Sequence, residues 1–393
     1  MSAVDPRIVP ALEYQRAAVG KASLASPLYD ALLGAAIADV GSGGPCALVL
    51  SQMPAGLDPI PDAVVLRFLG ALHRLVLEGG APSLARWFPT AGGAFDPAID
   101  GPAARHDFLA AVEAHAGELA DGLRQGVQTN EVGRCAALVV GFSEVLRTFG
   151  LPLRLLELGA SAGLNLRWDR WRYESGATAW GDEAAPIRFV TAPAAAGRTA
   201  GDASQVGSTA GVAPTAAGST SVAYRTPAPD VSAPLGPGEA VVERRGCDRA
   251  PIDAATDAGR RLLRSFVWPD QAARHERLDA ALAAAAAVPA PIDAEDAAPW
   301  VARQLAEPVP GVATVVFHSI VWQYLPQPTR DGVRAAIVAA SHRATADAPI
   351  AWLRMEPGED PSEAAEIRLI TAPGGEHRLL ANTGYHGHPV WVP

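Results

Sequence analysis

The sequence predicts an α/β protein with a helical domain in front of it, and three observations carry that reading. Apolar residues recur at helical spacing up to about residue 150. From Leu153 onward, short apolar runs alternate with helical stretches. Further on, "EIRLITAPGGEHRLLAN" is two apolar runs joined by a Pro-Gly-Gly turn. Alternating strands and helices build a parallel sheet, and a short glycine turn between two strands builds an antiparallel hairpin. The expected organisation is a helical domain over residues 1–150 and an α/β domain over residues 151–393.

In the first part, "PDAVVLRFLGALHRLVLEGG" sets Val65, Leu69, Leu72 and Val76 on one stripe, with Asp62 able to cap the start and Gly79-Gly80 to end the run. "HDFLAAVEAHAGELADGLRQ" repeats the device with Phe108, Val112, His115, Leu119 and Leu123, which makes His115 a core histidine. A third helix is expected from Asn130 to Gly150, ahead of Pro152. In the second part the expected strands are "RLLEL", "VVERRGCD", "VPAPID", "ATVVFHSIV" and "IAWLRME", followed by the hairpin and by "HPVWV". Between about residues 192 and 238 the chain is Ala, Gly, Ser, Thr and Pro with few large apolar residues. Such a stretch buries too little surface to offset its ordering entropy, and predicts a disordered insertion.

Composition narrows the function. A chain of 393 residues with 49% hydrophobic content supports a sizeable core. A net charge of -10, with both signs interspersed, argues against nucleic acid and anionic membrane as partners and for a small molecule. Cys46, Cys135 and Cys247 are widely spaced and odd in number, which suggests neither a disulfide framework nor a metal site, and so a reducing, cytoplasmic setting. The N-terminus lacks the apolar run of a secretory signal, and no apolar stretch reaches the length of a membrane span.

The stretch "LRLLELGASAGLNLRWDRW" carries the chemistry. A strand running into a glycine turn and then a helix seats an anion or nucleotide-like cofactor, because glycines allow close approach and helix N-termini present free N–H groups. Glu157, Gly159, Ser161, Gly163 and Asn165 are the candidates there, with Leu164, Trp168 and Trp171 on one stripe of the following helix. The same letters spell G-x-S-x-G, so Ser161 as the nucleophile of a serine hydrolase, with His386 or His388 as base, is the alternative. G-x-G-x-x-G and G-K-[ST] are absent, which sets aside the nicotinamide and P-loop readings.

The segments "VQTNEVGR", "LELGASAGLNLRWDRWRY", "RRGCDRAPID", "FVWPDQAARHERLDAAL" and "FHSIVWQYLP" resemble the family known as domain of unknown function 2332. Its α/β half looks like a Rossmann-like class I S-adenosylmethionine-dependent methyltransferase, and the resemblance implies that cofactor and a small-molecule acceptor. It implies that Glu157, Gly159, Ser161, Gly163 and Asn165 form the first cofactor motif, that Asp248 meets the ribose hydroxyls, and that Asp296, with Asp293 as competitor, meets the adenine. Ser161 departs from the usual central glycine, and Asp248 lies further along the chain than usual. At the carboxyl end of the fourth strand, His318 is the expected general base, with Tyr324 facing the same site, and Glu356 is similarly placed at the end of the fifth strand. Asn130, Glu131 and Arg134 are expected to form a lid or an interdomain contact. A non-catalytic binding protein of the same fold is the remaining alternative.

Overall fold

The computed structural model describes residues 4–20, 25–192, 219–223, 230–358, 364–375, 377–388 and 390–391. The chain divides into a helical unit, which runs to Thr129 and includes Thr256–His275, and an α/β unit, which includes Asn130–Ala192, Val231–Ala255 and the chain from Glu276. The first boundary therefore falls some twenty residues before the expected one, and a later segment returns to the helical unit.

The helical unit contains α1 (Ile8–Val19), α2 (Pro27–Ser42), α3 (Pro45–Leu50), α4 (Val64–Leu77), α5 (Pro82–Ala85), α6 (Gly101–Ala114) and α7 (Ala116–Gly122). The predicted stripes of α4, α6 and α7 are buried together: Val65, Leu69, Leu72, Val76, Phe108, Val112, Leu119 and Leu123 share one core, to which Trp268 also belongs. Asp62 does not cap α4. Its carboxylate instead accepts from the Asp58 amide at 2.7 Å, and Ala63 holds the N-cap position at a φ of 52°. His115 is not a core residue, because it sits at the break between α6 and α7 and pairs with Glu118 at 3.4 Å. The helical unit instead buries His73, of α4, and His275, whose rings meet edge to face at 6.0 Å.

In the α/β unit, α8 (Cys135–Phe149) leads into β1 (Leu153–Leu158), the centre of the main sheet. Beyond β1 come β2 (Arg172–Ser175), β3 (Thr178–Trp180), β4 (Arg188–Ala192), β5 (Ser219–Ala223) and β6 (Val241–Asp248). In the helical unit α9 (Asp257–Ser265) follows, and α10 (Ala272–Ala287) leads back to β7 (Ile292–Ala294), α11 (Ala297–Gln304), β8 (Ala313–Ser319), α12 (Gln327–Ser341), β9 (Ile350–Pro357), β10 (Ala365–Ala372), β11 (His377–Thr383) and β12 (Val390–Trp391). Eight described strands form one sheet in the order β12-β11-β10-β9-β8-β1-β6-β7. Strands β7, β6, β1, β8 and β9 are parallel, and β10, β11 and β12 complete it as an antiparallel meander. Every residue of β1 and β8 is buried, as expected of strands covered on both faces.

Register fixes which side chains share a face. Glu157 pairs with Phe317 and Gly246, so Glu157, Phe317 and Asp248 project toward α8. Leu156, Leu158, Val316 and Trp352 project the other way, into a core with Trp300 of α11 and Val333 and Ile337 of α12.

A second sheet, ordered β3-β2-β4-β5, was not expected from the sequence. Its β5 lies in the stretch read as a disordered insertion, and other described parts of that stretch also contribute. The Val231 carbonyl accepts from Ser143 Oγ at 3.2 Å, and the Leu235 carbonyl accepts from Trp180 Nε1 at 2.9 Å. These contacts use backbone groups, which any composition can supply. The rest of the stretch lies outside the described residues.

Candidate ligand site at the carboxyl ends of the sheet

The strand order reverses at β1, with β6 and β7 on one side and β8 and β9 on the other, and open α/β sheets bind ligands at the carboxyl ends beside such a reversal. The turn after β1 sits there. Gly159, Ser161 and Gly163 have φ of 66°, 55° and 68°, a left-handed conformation at every second residue that only glycine adopts freely. The segment that follows is a 3-10 stretch, Leu164–Arg170, broken at Arg167, rather than the expected α-helix. Trp168 and Trp171 are nonetheless fully buried, as their stripe predicts.

The turn's amides are satisfied within the protein. Ala160 N–H donates to the Cys247 carbonyl at 2.9 Å, and Ser161 N–H to Asp248 Oδ2 at 2.9 Å. Asn130 Oδ1 accepts from both Ala162 N–H, at 3.2 Å, and Leu164 N–H, at 3.1 Å. Asn130 thus occupies the position that a ligand anion takes in a phosphate-binding turn. Gly159 is needed for packing: a Cβ there would lie 2.4 Å from Val321 Cγ2. Ser161 is only 6% exposed, and the amide after it, which an oxyanion hole would require, is the one bonded to Asn130. That arrangement does not favour nucleophilic chemistry at Ser161.

Glu157 closes β1 with a carboxyl group that is entirely buried. Burial raises its pKa well above the ordinary carboxylate value, Asp248 pushes the same way, and the charges of Arg134 and Arg167 with a hydrogen bond from Asn165 oppose it. Its Oε2 has no hydrogen-bond partner among the described residues. Arg167 itself is held by the carbonyls of Gly163, at 2.6 Å, and Val288, at 2.9 Å, and burial brings its pKa down to about 10.

Of the "TNEVGR" residues, Asn130 bonds to this turn, while Glu131 and Arg134 bond to other segments. Glu131 Oε1 accepts from Gly133 N–H at 2.9 Å, and its Oε2 lies 3.4 Å from His386 Nδ1. Arg134 donates to the carbonyls of Ser319, at 2.9 Å, and Tyr385, at 3.2 Å. The helix expected at Asn130 starts at Cys135, because Asn130 adopts a φ of 37° and Glu131 is extended.

Other expected site residues fall elsewhere. Asp296 is the N-cap of α11, accepting from Ala298 N–H at 3.1 Å and from Thr329 Oγ1, so its carboxylate belongs to the α11–α12 layer. Asp293 pairs with Arg245 at 2.8 Å and with Trp300 Nε1 at 2.7 Å, and the Arg245 bond lowers its pKa to about 2. His318 is fully buried on the α12 side of the sheet, opposite the face that carries Glu157, with its Nδ1 2.6 Å from Glu356 Oε1. Tyr324 is 51% exposed on a 3-10 turn after β8.

A cavity of about 360 Å³ opens beside the turn, within the size range of small-ligand sites. Its walls include Ala162, Arg167, Ile252, Asp253, Ala286 and Ile292. Asp253 was missed from the sequence, although "GCDRAPIDAA" carries its signal. Asp248 accepts from Ala250 N–H and Asp253 from Ala255 N–H, each at 2.9 Å, a repeated Asp-x-Ala turn that shapes the loop after β6.

An open, mostly parallel α/β sheet with a left-handed glycine turn at its point of reversal defines an α/β protein whose candidate ligand site lies at the carboxyl ends of its strands. The chain belongs to the family described as "Uncharacterized protein conserved in bacteria (DUF2332)", which matches residues 11–391. No curated protein and no solved structure matches it. Among the described residues no helix is long and apolar enough to cross a membrane, and no cluster of side chains is suited to hold a metal ion.

Proposed function

We propose that the α/β unit is an S-adenosylmethionine-dependent methyltransferase acting on a small-molecule acceptor. The observation that carries the reading is the cavity beginning at Ala162, on the β6–β7 side of the turn. It suits the nucleoside end of such a cofactor: Ala162, Ile252 and Ile292 offer apolar walls, and Asp253 lies at its margin. Asp248, which is partly exposed, keeps acceptor capacity for ribose hydroxyls beyond its bonds to the Ser161 and Ala250 amides. Glu157, with one unpartnered oxygen, would receive the ammonium group. Because Val321 covers Gly159, the fitting space lies beside Ala162 and not above Gly159.

The cofactor supplies an electrophilic methyl group, so the protein's own contribution is alignment and exclusion of water, and proximity of this kind removes about 7 to 11 kcal/mol in well-oriented systems. Burial favours the neutral form of Glu157 before binding. A charged amine placed against it would favour ionisation. Calorimetric titration with S-adenosylhomocysteine in buffers of different ionisation enthalpy tests both points. Binding with proton release, abolished in Glu157→Gln, is expected; absence of binding by either S-adenosylmethionine or S-adenosylhomocysteine would sink the reading.

A further inference from the structure

On the α12 side of β8 and β9, four neighbouring side chains carry buried polar atoms that no described group engages: His318 Nε2, Trp352 Nε1, Arg354 Nε and Glu356 Oε2. They form one patch. His318 and Arg354 are register partners, and Trp352, Arg354 and Glu356 occupy alternate positions of β9 and so share a face. The His318 ring stacks on Trp322 at 5.0 Å and lies 6.0 Å from Trp352. Native structures leave few buried polar atoms unmatched, and a group of them in one place calls for an explanation.

The charges in the patch are unevenly matched. Arg368, beside Arg354 on β10, is bonded to Glu366, and Arg334, which lies over Trp322, is bonded to Asp331. Arg354 has no hydrogen-bonded partner among the described residues; its guanidinium lies over the Trp352 ring at 4.6 Å. An arginine held over an indole, with its donors uncommitted, is preorganised for a carboxylate.

Glu356 Oε1 is fully used, accepting from His318 Nδ1–H at 2.6 Å and from the Val321 and Trp322 amides at 3.1 and 3.3 Å. An oxygen that already accepts from two amides accepts from His318 as well, so Nδ1 is the donor and Nε2 is left as the acceptor. The patch therefore presents a donor array at Arg354 and acceptors at His318 Nε2 and Glu356 Oε2. Arg354 and Glu356 stand two residues apart on one strand, a spacing of roughly 7 Å. A ligand matching both has a carboxylate at one end and a proton donor a few bonds away.

We propose that this patch binds a small hydroxy- or amino-carboxylate, with the carboxylate on Arg354, the hydroxyl or ammonium on the His318–Glu356 pair, and the carbon skeleton against Trp322 and Trp352. The inference does not rest on the reading of the Gly159 turn, and its test needs no cofactor.

The test is a titration of the full-length protein, labelled with ¹⁵N at histidine, in which the His318 Nε2 resonance, assigned by its loss in His318→Gln, is followed as lactate or acetate is added. Lactate produces a saturable shift, and acetate, which lacks the donor, binds about tenfold more weakly. Arg354→Gln weakens lactate by about tenfold or more, and Arg354→Lys, which keeps the charge but not the planar fork, falls between. A His318 resonance that does not move with either anion overturns the proposal. So does equal lactate affinity in the wild type and a folded Arg354→Gln protein; should that variant fail to fold, equal affinity in Arg354→Lys overturns it.

Discussion

Buried, neutral His73 makes the helical unit sensitive to acid in a way that can be calculated. Its Nδ1 lies 3.2 Å from the Ser265 carbonyl and its Nε2 2.7 Å from Thr90 Oγ1, so Nδ1 carries the proton and Nε2 accepts from the hydroxyl. Burial, with smaller effects from His275 and Arg264, lowers its pKa from 6.5 to about 3. Between those values the unfolded chain binds a proton that the folded one does not, so stability falls as pH falls through this window and is fully present above it. The whole shift corresponds to about 5 kcal/mol, of which about 3 kcal/mol is lost between about pH 8 and about pH 4. Urea unfolding of the wild type and His73→Gln at those two pH values isolates the effect. The variant is less stable near pH 8, because the Thr90 hydroxyl and Ser265 carbonyl lose their partner. That gap narrows by about 3 kcal/mol near pH 4, since common carboxylate effects cancel in the difference. A gap that stays constant within about 1 kcal/mol would refute the assignment of a neutral core histidine.

Three further expectations concern the α/β unit. Asn130→Ala removes the acceptor shared by the Ala162 and Leu164 amides and costs about 2 to 5 kcal/mol, measurable by denaturant titration, because both donors are buried without replacement. Asp169→Asn breaks its buried pair with Arg244, held at 2.6 Å, and costs about 3 to 5 kcal/mol by the same assay. A fluorophosphonate probe leaves Ser161 unlabelled, as mass spectrometry of the treated protein would show, because the neighbouring amide is already bonded to Asn130.

The parallel strands and the turn were legible because their signals are local. An apolar run beside a glycine turn reports β1, and alternation within "WLRME" already places Trp352, Arg354 and Glu356 on one face of β9. What could not be read was partnership across the chain. Glu157 and His318 both stand near strand ends of one sheet, yet register separates them: Glu157 pairs with Phe317, which sends its neighbour His318 to the other face. Asp248 and Asp296 look equivalent in sequence as acids after strands, yet one bonds the Ser161 amide and the other caps α11. Asn130, the residue that completes the turn, precedes it by about thirty positions and resembles a helix start, because a left-handed asparagine carries no periodicity.

The loop after β8 ties the two faces of the sheet together. The carbonyl of Ser319, where β8 ends and the loop begins, accepts from Arg134 on the α8 side, while the loop's Val321 and Trp322 amides donate to Glu356 on the α12 side. Val321 rests on Gly159, and Ile320, between Ser319 and Val321, holds a φ of 51°, which a β-branched residue adopts only under constraint from its neighbours. The arrangement that closes the space above Gly159 is therefore held by the same carboxylate that orients His318. Any change in the charge or position of Glu356 acts on two groups at once, the histidine on one face and the valine over the turn on the other. Residues sharing such a partner are expected to be non-additive on substitution. Glu356 and Val321 couple the α12-side patch to the glycine turn through one hydrogen-bonded loop, without requiring His318 to reach the face where Glu157 lies.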